Sequence, residues 1–188
     1  MLRSSAGLAR GSRRGSPWTG LGAVVAKETG CGIGPRAARR IARAGVKHLD
    51  VSGAGGTSWV AVETERAVPA ARSLGLALRE WGVPTAASVI IAKKTRPRFQ
   101  TIIATGGVAS GLDAAKAIAL GAHAAGIARP VLQALVSGGR PAALAFLDQV
   151  EAELRAVMLL VGAGSIRSLR KAQVMLRGDL PRWAELIP

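Results

Sequence analysis

The chain has 188 residues, 49% of them hydrophobic, with 24 glycines, which suits one domain with a packed core and excludes a disordered tail. Its 26 basic residues against 11 acidic ones give a formal charge of +15, yet they form no tight run, and two Phe, no Tyr and four Trp leave few platforms for stacking bases, so nucleic-acid binding is excluded as a main role. No apolar run reaches the roughly 20 residues that span a bilayer, and the single cysteine, Cys31, cannot pair within the chain, which fits a soluble protein of a reducing cytoplasm.

Residues 1–22, "MLRSSAGLARGSRRGSPWTGLG", carry four basic residues and no acid. Gly/Ser/Arg composition of this kind buries too little apolar surface to offset its ordering entropy, so a disordered basic leader is expected. A transit peptide and a non-native stretch at a broken gene start both fit, the second better. The remainder, 23–188, is read as one unit.

From residue 23 a rhythm of short apolar strand, glycine-containing loop and helix repeats. "AVVAK" (23–27) reads as a buried strand, and Pro35 then opens a helix with Ala38, Ile41, Ala42 and Val46 on one face. "KHLDVS" (47–52) is a second strand, followed by "GAGGTSW" as a loop. Residues 66–81 read as a helix ending at Gly82, and "PTAASVIIA" (84–92) as another helix start. "TIIATGG" (101–107) is a third strand, after which Ser110 caps a helix with Asp113 three positions on, the spacing of a capping box. "AHAAGIAR" (122–129) is a fourth strand. Leu144, Leu147, Val150, Leu154, Val157, Met158 and Val161 mark a long amphipathic helix, and "SIRSLRKAQ" (165–173) a last short one. Alternating strands and helices with near-continuous apolar strands predict a parallel α/β fold. Four such units are half of a (β/α)8 barrel, which takes about 250 residues.

In such folds ligands sit beyond the carboxyl ends of the strands. Lys27 closes the first strand, Ser52 to Thr57 follow the second, and Gly106-Gly107 follow the third. A strand–Gly-Gly–helix element reads either as a tight turn or as a phosphate site served by free N–H groups and the helix dipole. Ala128 and Arg129, after the fourth strand, stand where barrels complete a phosphate site and favour the second reading. Lys27 is either a solvated charge or a cation that stabilises negative charge on a cofactor. Asp50 divides evenly between tethering neighbouring backbone and serving the site. His48 and His123 begin their strands, the wrong end for catalysis, and are expected to be structural. Asp113 is read as a cap, and Cys31 lacks a partner for nucleophilic catalysis. No cluster has metal-ligand spacing, and "GAGG" runs into Thr-Ser-Trp instead of opening a dinucleotide-binding helix.

The strings "VVAKETGCGIGPRAARRIARAGVKHLDVSGAGGTSW", "WGVPTAAS", "IIATGGVASGLDAAKAIALGA", "GIARP" and "VMLLVGAGSIRSLRKAQVML" resemble, in order and over about residues 23–188, the carboxyl-terminal half of the type 2, flavin-dependent isopentenyl-diphosphate isomerases. A more general likeness is to FMN-dependent barrel dehydrogenases of hydroxy acids. The first resemblance implies a (β/α)8 barrel that binds FMN, kept reduced by NAD(P)H, and interconverts isopentenyl and dimethylallyl diphosphate with Mg2+ on the diphosphate. It implies that Lys27 contacts the flavin, that Thr57 and Ser52 beside it bind it, and that Gly107, Val108, Ala109, Ala128 and Arg129 hold its phosphate. The family usually has Arg where this chain has Ala109. The resemblance also implies that the Mg2+ and substrate-diphosphate groups belong to a first half that residues 1–22 do not match. The expected partners are therefore that half or further copies of the chain, and catalytic residues stay unassigned.

Overall fold

A computed structural model of the chain describes residues 24–186; the expected leader at 1–22 lies outside them. Four strands, β1 (Val25–Lys27), β2 (His48–Asp50), β3 (Thr101–Ala104) and β4 (Ala124–Ala125), form one parallel sheet in chain order. Between and after them run α1 (Pro35–Arg43), α2 (Trp59–Arg66), α3 (Pro69–Ala77), α4 (Thr85–Lys94), α5 (Gly111–Leu120), α6 (Arg129–Leu160), α7 (Ile166–Leu169) and α8 (Leu180–Glu185). Parallel neighbours in chain order, joined by crossovers of one hand, put the helices on one face of the sheet. That is the arrangement of consecutive units in a (β/α)8 barrel, and four units are present.

Period two along the strands sorts the residues. Leu49, Val51, Ile102 and Ala104 are buried among Ala38, Ala42, Val89, Ile91 and Ala117 of the helices and form the main core. Lys27, His48, Asp50, Thr101, Ile103 and Thr105 alternate with them and face the other way, onto the face that the helices leave open. A second cluster, built on Ala115, Ile118, Ala119, Ala163 and Leu169, joins α5 to α6 and α7. Gly111 sets that contact, since a Cβ there would lie 2.2 Å from the Val150 carbonyl oxygen.

Several boundaries differ from those read in the sequence. The second strand stops at Asp50 because Ser52 turns left-handed (φ 32°), and the third at Ala104 because Gly106 and Gly107 do (φ 96° and 79°). The fourth is only Ala124–Ala125, and Arg129 already opens α6. The stretch from 66 to 81, which reads as one helix, is shorter, Pro69–Ala77, and a separate helix precedes it. Ser58 Oγ accepts the Ala61 N–H at 3.2 Å and starts α2 inside the expected loop, while Pro69 starts α3 afresh. Helix α6 begins well before Leu144 and is kinked at Gly138–Gly139, ahead of Pro141. The short helix at 165–173 shrinks to Ile166–Leu169, and α8 has no counterpart among the expected elements.

Candidate functional site

Parallel register puts Lys27 beside Asp50 and Asp50 beside Ile103, with Thr105 two residues further along the same face. There the side chains close a triangle. Lys27 Nζ donates to Asp50 Oδ2 at 2.6 Å and to Thr105 Oγ1 at 3.2 Å, and the Thr105 hydroxyl donates to Asp50 Oδ1 at 2.6 Å. The Ser52 N–H adds a third kind of donor to that carboxylate at 3.2 Å. Asp50 is 9% exposed at its side chain and Lys27 is 53% exposed, so a buried anion anchors a cation that reaches the open face. Of the two readings left open for Asp50, tethering is borne out, but what it tethers includes a side chain at the site. Thr105, the residue before the two glycines, escapes the sequence reading. Its place at a strand's carboxyl end is the signal that could have found it.

The loop after β1 is organised by Glu28. Its Oε2 accepts the N–H groups of Gly30 and Cys31 at 2.6 Å and of Gly32 at 3.0 Å. Burial, with the Glu28 charge second, pushes the Cys31 thiol up, which keeps it protonated and a poor nucleophile. Ser52 is buried in a left-handed conformation that costs a non-glycine residue on the order of 1–3 kcal/mol. Its carbonyl accepts from Gly32 at 3.0 Å, which ties the first two loops together.

The glycines at 53–56 pack directly on those at 106–107. A Cβ on Gly106 would lie 2.2 Å from the Gly53 carbonyl oxygen, and one on Gly56 would lie 3.0 Å from the Gly107 nitrogen. Thr85 locks the pair by donating to the Gly106 carbonyl at 2.6 Å. The consequence is an exposed Gly107 whose N–H, like that of Val108, donates to no protein acceptor among the described residues. A side chain at position 56 would crowd that nitrogen, so the glycine there helps to keep it open. Thr57 is exposed at the end of the same loop.

The start of α5 contributes less than its sequence suggests. Ser110 does cap it, accepting the Asp113 N–H at 3.1 Å. The Asp113 carboxylate, however, takes the Ala109 N–H at 3.2 Å instead of closing a capping box on Ser110, and Glu153 of α6 takes the Gly111 N–H at 2.7 Å. Two carboxylates thus occupy donors expected to be free for a phosphate. Ala128 precedes α6 without a side-chain cap, and Arg129, its first residue, is exposed beside β4. A cavity of about 180 Å³ between α4 and α5, lined by Thr85, Val89, Val108, Asp113 and Lys116, lies behind the Gly106–Val108 turn. It is smaller than the ~300–1,000 Å³ of ordinary ligand sites.

Both histidines lie at the amino ends of their strands. His48 Nδ1 pairs with the Thr101 hydroxyl at 2.9 Å, and His123 Nδ1 accepts the Ile102 N–H at 3.0 Å. Burial and then the nearby Arg170 charge lower the His123 pKa below its ordinary value of 6.5. Among the described residues no group of three or more His, Cys, Asp or Glu could hold a metal ion, and no helix is long and apolar enough to cross a membrane.

Comparison with known proteins gives the family and the fold. The isopentenyl-diphosphate delta-isomerase of Halobacterium salinarum is 42% identical over 166 residues, covering 86% of this chain and 45% of that protein. Those of Aeropyrum pernix (43% over 164 residues) and Methanothermobacter thermautotrophicus (44% over 160) cover 86% and 85% of the chain and 44% of their own length. The chain therefore spans less than half the length of these relatives. Among solved structures, a mandelate oxidase variant with (S)-mandelic acid superposes with a TM-score of 0.58 at 28% identity, over 82% of this chain and 39% of that one. Mandelate oxidase with benzoyl-formic acid gives 0.56 at 28%, over 81% and 39%. The description "FMN-dependent dehydrogenase" matches residues 30–176, and the chain belongs to that family.

Proposed function

We propose that the chain is the carboxyl-side half of an FMN-binding barrel that interconverts isopentenyl and dimethylallyl diphosphate. The observation that carries this reading is that the carboxyl ends of β1 and β3, on one sheet with β2 between them, present an anchored Lys27 ammonium and a Gly107 amide beside the side-chain-free Gly56, in a chain 39–44% identical to isopentenyl-diphosphate isomerases. Reduced FMN would supply the proton-transfer chemistry of a reaction with no net redox change. The protein's part is to hold it. The Gly107 and Val108 amides and Arg129 would bind its phosphate, with Ala128 and Ala109 lining the same cleft. Thr57 and Ser52 would hydrogen-bond the flavin, and Lys27 would stabilise negative charge on its ring. These donors fit an anionic group. The described residues do not fit a Mg2+ site, so the metal enters no step on this half of the barrel. NAD(P)H as reductant, a cytoplasmic setting, and the complementary half or further copies of the chain as partners belong to the same proposal.

The likeness to mandelate oxidase favours a second reading, oxidation of 2-hydroxy acids. That chemistry needs a base at the strand carboxyl ends, whereas His48 and His123 stand at the starts. Titration of the purified chain with FMN, followed by flavin fluorescence and size exclusion, tests the proposal. Weak, saturable binding to a compact species is expected, with no isomerisation by this chain alone. Absence of binding would overturn the flavin site, robust turnover would overturn the half-site reading, and reduction of FMN by a 2-hydroxy acid would favour the alternative.

A further inference from the structure

We infer that Asp50 and Thr105 are positioning residues that clamp the Lys27 ammonium, using two of its three N–H groups and leaving the third for the ligand on the open face. The inference rests on the proposed flavin site for its ligand and on the structure for its geometry.

A lysine on a flexible four-carbon stem, 53% exposed, has no reason of its own to keep one position. Fixing such a side chain costs rotamer entropy, which a ligand would otherwise have to offset on binding. Here the carboxylate and the hydroxyl offset it beforehand. Thr105 Oγ1 donates to Asp50 Oδ1 at 2.6 Å and so can only accept from Lys27 Nζ, at 3.2 Å. The hydroxyl proton is thereby committed, and its lone pair is aimed at the ammonium. Its β-branched side chain is stiff about χ1. Asp50, held by Lys27, Thr105 and the Ser52 N–H, has no freedom to swing away. Among the described residues no acceptor other than these two faces Lys27 Nζ. None of the three side chains packs among the apolar residues of the core, which lie on the opposite face of the same strands.

The test compares Thr105→Val, which keeps the shape and deletes the hydroxyl, with Thr105→Ser, which keeps the hydroxyl, and with Asp50→Asn. In the apo chain the Lys27 ammonium should give a sharp 1H–15N signal, protected from exchange by its two acceptors. Thr105→Val and Asp50→Asn should broaden it, and Thr105→Ser should keep it. FMN titration should then show roughly three- to tenfold weaker binding for Thr105→Val and recovery with Thr105→Ser. In a Lys27→Met background the Thr105→Val change should add nothing. An unchanged ammonium signal in Thr105→Val, or an equal loss of FMN affinity with Met at position 27, would overturn the clamp. A wild-type chain that gives the protected signal but binds no FMN would overturn the flavin site alone.

Discussion

Replacement of Gly56 by Ala separates binding from folding. Position 56 requires no left-handed backbone, and its new methyl would lie 3.0 Å from the Gly107 nitrogen and 3.2 Å from Gly106 Cα. That is tight but relieved by shifts of a few tenths of an ångström. Alanine also lowers the entropy of the unfolded chain by about 0.4–1 kcal/mol, so the melting temperature should move by no more than ~3 °C in a domain of this size. The methyl would crowd the Gly107 nitrogen, which an anionic oxygen would approach to about 2.9 Å. Losing a hydrogen bond to a charged group costs about 1.5–3 kcal/mol, or about 10- to 150-fold in FMN affinity. Gly106→Ala provides the contrast. Its Cβ would lie 2.2 Å from the Gly53 carbonyl oxygen at a φ of 96°, and neither strain relaxes unless backbone moves. It should cost roughly 3 kcal/mol or more, which is about 6–12 °C. Paired thermal melts and flavin-fluorescence titrations read both quantities. Unchanged FMN affinity in Gly56→Ala, or a melting loss equal to that of Gly106→Ala, would refute the reasoning.

Burial and Arg170 depress the His123 pKa in the folded chain, while the unfolded chain protonates near the ordinary 6.5. Its contribution to stability is therefore complete above that pH and is lost as the pH falls toward the folded value; His123→Asn should flatten that part of the slope in urea titrations between about pH 7.5 and 5. Leu49, fully buried between β2 and the helices, should lose about 2–5 kcal/mol on Leu49→Ala, and a loss under ~1 kcal/mol would contradict its place in the core. Gly111→Ala drives a methyl into the α6 backbone, 2.2 Å from the Val150 carbonyl oxygen. It should raise amide exchange along residues 150–160 before it does so in β2 and β3.

Strand and helix types are legible where one interaction dominates. Apolar runs mark β1 to β4, and Ser110 and Pro35 announce α5 and α1. The sequence misleads where two signals compete. Around 58–69 the helix-forming run "WVAVETERA" sits behind a glycine loop, and only the Ser58 cap and Pro69 set it apart from its neighbours in the chain. The site divides in the same way. Lys27, Ser52, Thr57 and Gly107 come from the rule that strand ends face ligands. The competition at α5 does not, because Glu153 reaches Gly111 from 42 residues away. Thr105 is hidden for a simpler reason: a threonine in a strand is ordinarily just a good strand former.

Because Leu49 and Val51 pack in the core while His48 and Asp50 face the other way, fold and chemistry are written on alternate letters of one four-residue word. A single-residue deletion between Lys47 and Leu49 would exchange the two sets, sending the carboxylate into the apolar layer and the leucine into the cleft. Loops around this strand can lengthen or shorten in descendants of the gene, but the strand itself tolerates substitution only, and its reading frame in space is fixed twice over.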